Sequence, residues 1–108
     1  MLFRSDIERL EVLQQHILDN LNSNLNINAL AKMSGLSSST LRRQFQSHFK
    51  MTIYKYIYCK RMERAKDLIL ECNYTINEIS EEVGYSEPSN FSHAFIKHFG
   101  IPPSKYNK

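Results

Sequence analysis

The chain has 108 residues, 42% of them hydrophobic, with three glycines, three prolines and no low-complexity tract; that balance suits one globular domain and excludes a disordered chain. No apolar run reaches the roughly 18 residues of a membrane span, and Met1-Leu2-Phe3-Arg4 lacks the apolar stretch of a secretory signal, so no membrane partner is expected and the cytoplasm is the expected compartment. The net charge of +3 hides a sharp partition: residues 1–22 balance to −2, residues 32–66 to +8 and residues 67–87 to −6, while Lys97, Lys105 and Lys108 add three positive charges, a basic block that points to a polyanionic partner more than the mild total does.

Nearly all of the chain reads as helix. Ser5 and Glu8 have the spacing of a capping box ahead of Ile7, Leu10, Leu13, Ile17, Leu18 and Leu21, which predicts a first helix near 6–22. The Asn-rich stretch 22–28 ends it and starts a short helix with Leu30, Ala31 and Met33, stopped by Gly35. Ser37 then caps a third helix near 38–49, with Leu41, Phe45 and Phe49 at four-residue steps. A long helix near 53–71 follows, with Thr52 as its cap. Thr75 and Glu78 form a second capping box for a short helix with Ile76, Ile79 and Val83, stopped by Gly84. Pro88 suits the first turn of a helix near 88–99, whose Phe91, Phe95 and Phe99 again stand four apart. Gly100 ends it, and Pro102-Pro103 lead into a last turn.

The two halves repeat. Ile27, Leu30, Ala31, Gly35 and Ser37 match Ile76, Ile79, Ser80, Gly84 and Ser86 at an offset of 49, and Leu41, Phe45, His48 and Phe49 match Phe91, Phe95, His98 and Phe99 at an offset of 50. Each copy reads as a short helix, a glycine turn and a longer helix with an aromatic spine, which is the pattern of a helix-turn-helix. In that motif the second helix enters the DNA major groove. With the spine turned inward, the outward stripe of the first copy is Ser39, Arg42, Arg43 and Gln46. Arg suits guanine, Gln suits adenine, and Ser bonds several base edges. The second copy offers Ser89, Ser92, His93, Ile96 and Lys97, with Asn90 beside them. It is less basic, and Ile96 is suited either to a thymine methyl or to packing. The long helix would act as a spacer of about 28 Å, close to the roughly 34 Å between successive major-groove segments on one face of the duplex. Its Lys55, Lys60, Arg61, Arg64 and Lys66 surround the helix and offer phosphate contacts, while Ile57, Met62, Ala65, Leu68 and Ile69 can seat it.

These residues resemble the AraC/XylS family of bacterial transcription regulators over essentially the whole chain. The resemblance rests on Leu30-Ala31…Ser34-Gly35-Leu36-Ser37…Leu41…Phe45, on Tyr56-Ile57…Arg61-Met62…Ala65…Leu68-Ile69, and most specifically on Ile76…Glu78-Ile79…Gly84-Tyr85-Ser86…Asn90-Phe91-Ser92…Phe95-Ile96-Lys97…Phe99-Gly100…Pro103…Tyr106. It implies an all-α fold of about seven helices. Residues 1–108 then form one DNA-binding domain, with helix-turn-helix subdomains at 1–51 and 73–108 joined by a linker helix at 52–72. It implies a sequence-specific regulator of transcription, an activator, with double-stranded DNA and RNA polymerase as partners and no cofactor or metal. Base contacts fall by the resemblance on Ser39, Arg42, Arg43, Ser89, Asn90 and His93, to which the groove stripe adds Gln46. Phosphate contacts are expected from Ser37, Lys50, Lys60, Arg61, Arg64 and Lys97. Two positions depart from the family pattern: Ser39 is short where small activators are often bulky, and Asn107 stands where Arg is common. No stretch remains here for a separate effector-binding domain, which leaves a stand-alone activator or a piece of a longer regulator.

An enzyme reading would draw on His16, His48, His93, His98, Cys59 and Cys72, but no HxxxH, CxxC or nucleophile-elbow pattern occurs. His48 and His98 stand at equivalent repeat positions, which points to a shared structural place. The two cysteines read as reduced thiols. A protein-interaction module would use Tyr54, Tyr56, Tyr58, Tyr74 and Tyr85, which otherwise pack at helix ends with their hydroxyls in water.

Overall fold

A computed structural model describes residues 4–106, so Asn107 lies outside the described residues. Six α-helices run in the order α1 Arg4–Asp19, α2 Ile27–Ser34, α3 Ser38–Phe49, α4 Ile53–Glu71, α5 Ile76–Glu82 and α6 Pro88–Phe99, and a 3-10 turn, Pro103–Lys105, closes the chain. Among the described residues there is no strand. The fold is all-α, with the seven helical segments that the pattern predicts. No helix of the described residues is long and apolar enough to cross a membrane.

Local chemistry sets most of the boundaries. Asn26, Ser37 and Thr75 accept from the backbone N–H groups of Ala29, Thr40 and Glu78 and so cap α2, α3 and α5. Thr75 and Glu78 complete the capping box, since Glu78 Oε1 accepts from the Thr75 N–H at 2.8 Å. Thr52 Oγ1 accepts from the Lys55 N–H at 3.1 Å at the start of α4. The first helix departs from expectation at both ends. Ser5 is already helical, and Glu8 pairs with Arg4 at 3.1 Å instead of reaching back to a cap. The helix also stops at Asp19, because Asn20 folds over its end: Asn20 Nδ2 donates to the His16 carbonyl at 2.9 Å, and the Asn20 N–H bonds the Ile17 carbonyl at 3.2 Å. Leu21 therefore lies beyond α1.

The chain forms two compact units. The first contains α1, α2, α3 and the start of α4 through Tyr58. Leu10, Leu13 and Ile17 from α1 meet Leu30 from α2, Leu41 and Phe45 from α3, and Ile53 and Tyr56 from α4 as its buried core. The second contains Leu21–Ser23, α4 from Cys59 onward, α5, α6 and the 3-10 turn. Its core is Met62, Ala65 and Leu68 from α4, Ile79 and Val83 from α5, and Phe91 and Phe95 from α6. Ser80, the buried polar residue of that unit, donates its hydroxyl to the Tyr85 carbonyl at 3.1 Å, so its burial leaves no donor unpaired.

The repeat reaches further than the helix-turn-helix. Lys50, Ile53 and Tyr56 correspond, at the same offset of 50, to Gly100, Pro103 and Tyr106. Lys50 and Gly100 both adopt the left-handed conformation, with φ of 63° and 85°, and Ile53 and Pro103 are both buried. The first turn of α4 thus does for the first unit what the 3-10 turn does for the second. Rings confirm the equivalence. Phe45–Phe49 and Phe95–Phe99 stand 4.4 and 4.5 Å apart, and Phe45–Tyr56 and Phe95–Tyr106 stand 5.4 and 5.5 Å apart, the tyrosine edge-on in each case.

The glycine turns repeat too. At the first, the Leu36 N–H bonds the Ala31 carbonyl at 3.0 Å, and at the second the Tyr85 N–H bonds the Ser80 carbonyl at 2.9 Å. Both bonds span five residues, as in a Schellman ending. Gly35 and Gly84 have φ of +71° and +87°, but their surroundings differ. A Cβ on Gly35 would meet nothing within 4 Å, whereas one on Gly84 would strike the Leu21 carbonyl oxygen and come within 2.8 Å of Arg61 Nη2. Gly35→Ala should therefore cost about 1 kcal/mol, the left-handed penalty alone. Gly84→Ala should cost about 3 kcal/mol, because crowding adds to the same penalty. Urea unfolding of the two variants measures the difference, and equal losses would refute the crowding.

Candidate nucleic-acid interface

The inward grip of each spine decides which side chains of α3 and α6 face solvent. Leu41 and Phe45 are fully buried in α3, as are Phe91 and Phe95 in α6. On α3 the stripe Ser39, Arg42, Arg43 and Gln46 is exposed along its whole length. Neither arginine makes a hydrogen bond or ion pair among the described residues. No acidic residue occurs in α3 or α6, so the positive potential of the α3 face is not offset within its own helix. On α6, Ser89, Asn90 and His93 are exposed, with Ile96 and Lys97 beyond them, while Ser92 is turned half into the unit. The α6 surface therefore offers hydrogen-bonding groups with little charge.

The starts of α3 and α6 are set differently. Ser37 Oγ caps α3 and also donates to Thr40 Oγ1 at 2.9 Å, and Ser38 Oγ donates to Asn28 Oδ1 on α2 at 2.8 Å. Pro88 occupies the first turn of α6, where a missing N–H costs nothing. His48 and His98 lie edge-on to Phe49 and Phe99, each 4.7 Å between centroids, as their repeat positions suggest. Tyr56 is buried, and its hydroxyl accepts from Gln14 Nε2 at 2.9 Å.

The expected phosphate contacts fall into three groups. Lys50, Arg64 and Lys97 are exposed. Lys60 is half-buried and pairs with Glu63 at 3.3 Å, and the Ser37 hydroxyl is engaged in the cap just described. Arg61 does other work. Its Nε donates to the Leu21 carbonyl at 3.1 Å and its Nη2 to the Ser23 carbonyl at 2.9 Å, and its guanidinium stands 5.9 Å from the centre of the Tyr85 ring. Burial pushes its pKa down, and Tyr85 opposes that shift; the group stays charged all the same. A guanidinium given to two carbonyls is a structural clamp on residues 21–23. Composition alone made it one basic residue among several. The missing signal was spatial: the carbonyls it holds lie about forty positions away in sequence.

Arg61→Ala should lower stability by about 2 kcal/mol, the loss of two charge-assisted bonds, and Arg61→Lys should recover little, because an ammonium lacks the planar fork. Thermal melts test this. Unchanged melting with weakened DNA binding would mean that Arg61 contacts DNA and does not clamp the fold.

A family profile described as a helix-turn-helix domain matches residues 30–108. The chain is 40% identical over 86 residues to the Msm operon regulatory protein of Streptococcus mutans, covering 80% of this chain and 31% of that protein. It is 32% identical over 96 residues to the lactose operon transcription activator of Staphylococcus xylosus, covering 85% of this chain and 34% of the relative. It thus spans about a third of the length of these two curated relatives. Among solved structures, the C-terminal domain of the two-component response regulator yesN from Fusobacterium nucleatum superposes with a TM-score of 0.87 at 30% identity, covering 91% of this chain and 96% of that one. The DNA-binding domain of AdpA, solved in complex with a target DNA, superposes with a TM-score of 0.86 at 21% identity over 91% of this chain and 88% of the other, a likeness of fold.

Proposed function

The chain belongs to the AraC/XylS family of helix-turn-helix transcription regulators, and from that premise we propose that it reads duplex DNA through α3 and α6 and activates transcription in the cytoplasm, in contact with RNA polymerase. The observation that carries the reading is the exposed stripe Ser39, Arg42, Arg43 and Gln46 on a helix whose opposite face is locked in the core. Arg42 and Arg43 are assigned to guanine, Gln46 to adenine, and Ser39 to whichever edge it reaches. On α6, Ser89, Asn90 and His93 supply a second, less charged set. Lys50, Lys60, Arg64 and Lys97 are assigned to phosphates, where they give affinity and salt sensitivity but no sequence choice; Ser37 keeps a phosphate role only beside its cap. The activator reading draws support from the relative named as a lactose operon transcription activator.

The domain proposal has residues 1–51 and 73–108 as readers and 52–72 as their link. Selection from random duplexes should then yield two short boxes in successive major-groove segments. Arg42→Ala or Arg43→Ala should cost about 1–3 kcal/mol on the selected site and relax preference in one box; an equal loss on random DNA would make these residues phosphate contacts. Arg64→Ala should weaken all duplexes alike and flatten the salt dependence. Insertion of about five base pairs between the boxes should abolish joint engagement, and unchanged affinity after that insertion would mean that one unit alone reads DNA.

A further inference from the structure

We infer that Ile96 is a specificity-determining residue of α6, reading the C5-methyl group of a thymine in the box contacted by the second unit; the inference rests on the DNA reading proposed above. Three observations lead to it. Phe91 and Phe95 are fully buried, yet Ile96 is 40% exposed. It is the one large apolar side chain left exposed on α3 or α6 among the described residues. Packing of α6 covers part of it and leaves the rest to solvent.

Its position is the second observation. Ser89, His93 and Ile96 stand at i, i+4 and i+7, and all three are exposed. The homeodomain reads base edges from recognition-helix positions with this i, i+3, i+4, i+7 spacing. The third observation comes from the repeat: at the offset of 50, Ile96 occupies the place of Gln46, an exposed polar residue on the α3 stripe. One scaffold thus presents an amide in its first copy and a branched hydrocarbon in its second.

The chemistry of the groove selects the partner. A branched hydrocarbon neither donates nor accepts, so it cannot distinguish guanine, adenine or cytosine by hydrogen bonding. The thymine methyl is the apolar group that the four natural bases present in the major groove. Contact removes both groups from water, whereas any other base there would leave Ile96 against a polar edge. The neighbouring Ser89 and His93 can bond the adjoining bases and fix the register in which the methyl is met.

Deoxyuridine in place of thymine, one position at a time, removes only that methyl and keeps every hydrogen-bonding group. With the selected duplex, the chain should lose about fourfold in affinity at one thymine of the second box, the effect of one buried methyl-sized group. Ile96→Ala should bind thymine and deoxyuridine equally there, and Ile96→Val should keep part of the preference. Ile96 is 40% exposed, so Ile96→Val should melt with the parent chain and Ile96→Ala only slightly below it. Discrimination by Ile96→Ala equal to that of the parent, or no sensitive thymine anywhere in the second box, would overturn the inference. A chain that fails to prefer its selected duplex over random DNA would overturn the DNA reading beneath it as well.

Discussion

The rings of Phe45, Phe49 and Tyr56 lie within 4.4 to 5.9 Å of one another, centre to centre, and this cluster fixes the rotation of α3 about its own axis. Phe45 is fully buried, Phe49 one turn on is half-buried against it, and the tyrosine from α4 closes over them. A helix held along one line presents the opposite line to solvent without further instruction. The cluster of Phe95, Phe99 and Tyr106 does the same for α6. Capping, turn geometry and the choice of exposed residues all presuppose these grips, since a helix free to roll would present no constant face.

One element takes two parts in this scheme. The first turns of α4 bring Ile53 and Tyr56 to the core of the first unit, and its later turns bring Met62, Ala65 and Leu68 to the core of the second. Met62, Ala65 and Ile69 follow the same spacing as Leu10, Leu13 and Ile17 of α1 at an offset of 52. Each unit is therefore a leading helix, a helix-turn-helix and a short closing turn. In α4 the closing turn of one copy and the leading helix of the next run on as a single helix. That double duty explains why the apolar residues of α4 form no single stripe.

Much of this was legible in the sequence because it depends on near neighbours. A cap needs a side chain and an N–H three residues away, so Ser37, Thr52 and Thr75 announced themselves. Inward phenylalanines at four-residue steps gave the outward stripes by elimination. What escaped was decided either by a competing local bond or by residues far apart in the chain. Ser5 has the residue type of a cap but lies inside the helix, and Asn20 ends α1 early through a side-chain bond that residue type alone does not reveal. Arg61 looked like any surface cation, although its partners Leu21 and Ser23 claim it. The matching of Tyr56 with Tyr106 was present in the numbering but was masked because one opens a long helix and the other ends the described chain.

The exposed stripe of α3 also bears on how such a protein changes over generations. Ser39, Arg42, Arg43 and Gln46 support nothing in the fold, and substitutions at exposed positions of this kind typically shift stability by less than about 0.5 kcal/mol. The residues that hold the fold and those open to solvent thus lie on separate faces of the same helix. A duplicated copy could drift to a new target one side chain at a time while remaining folded at each step. The divergence of Arg42, Arg43 and Gln46 from Ser92, His93 and Ile96, over spines that stayed alike, is what such drift would leave behind.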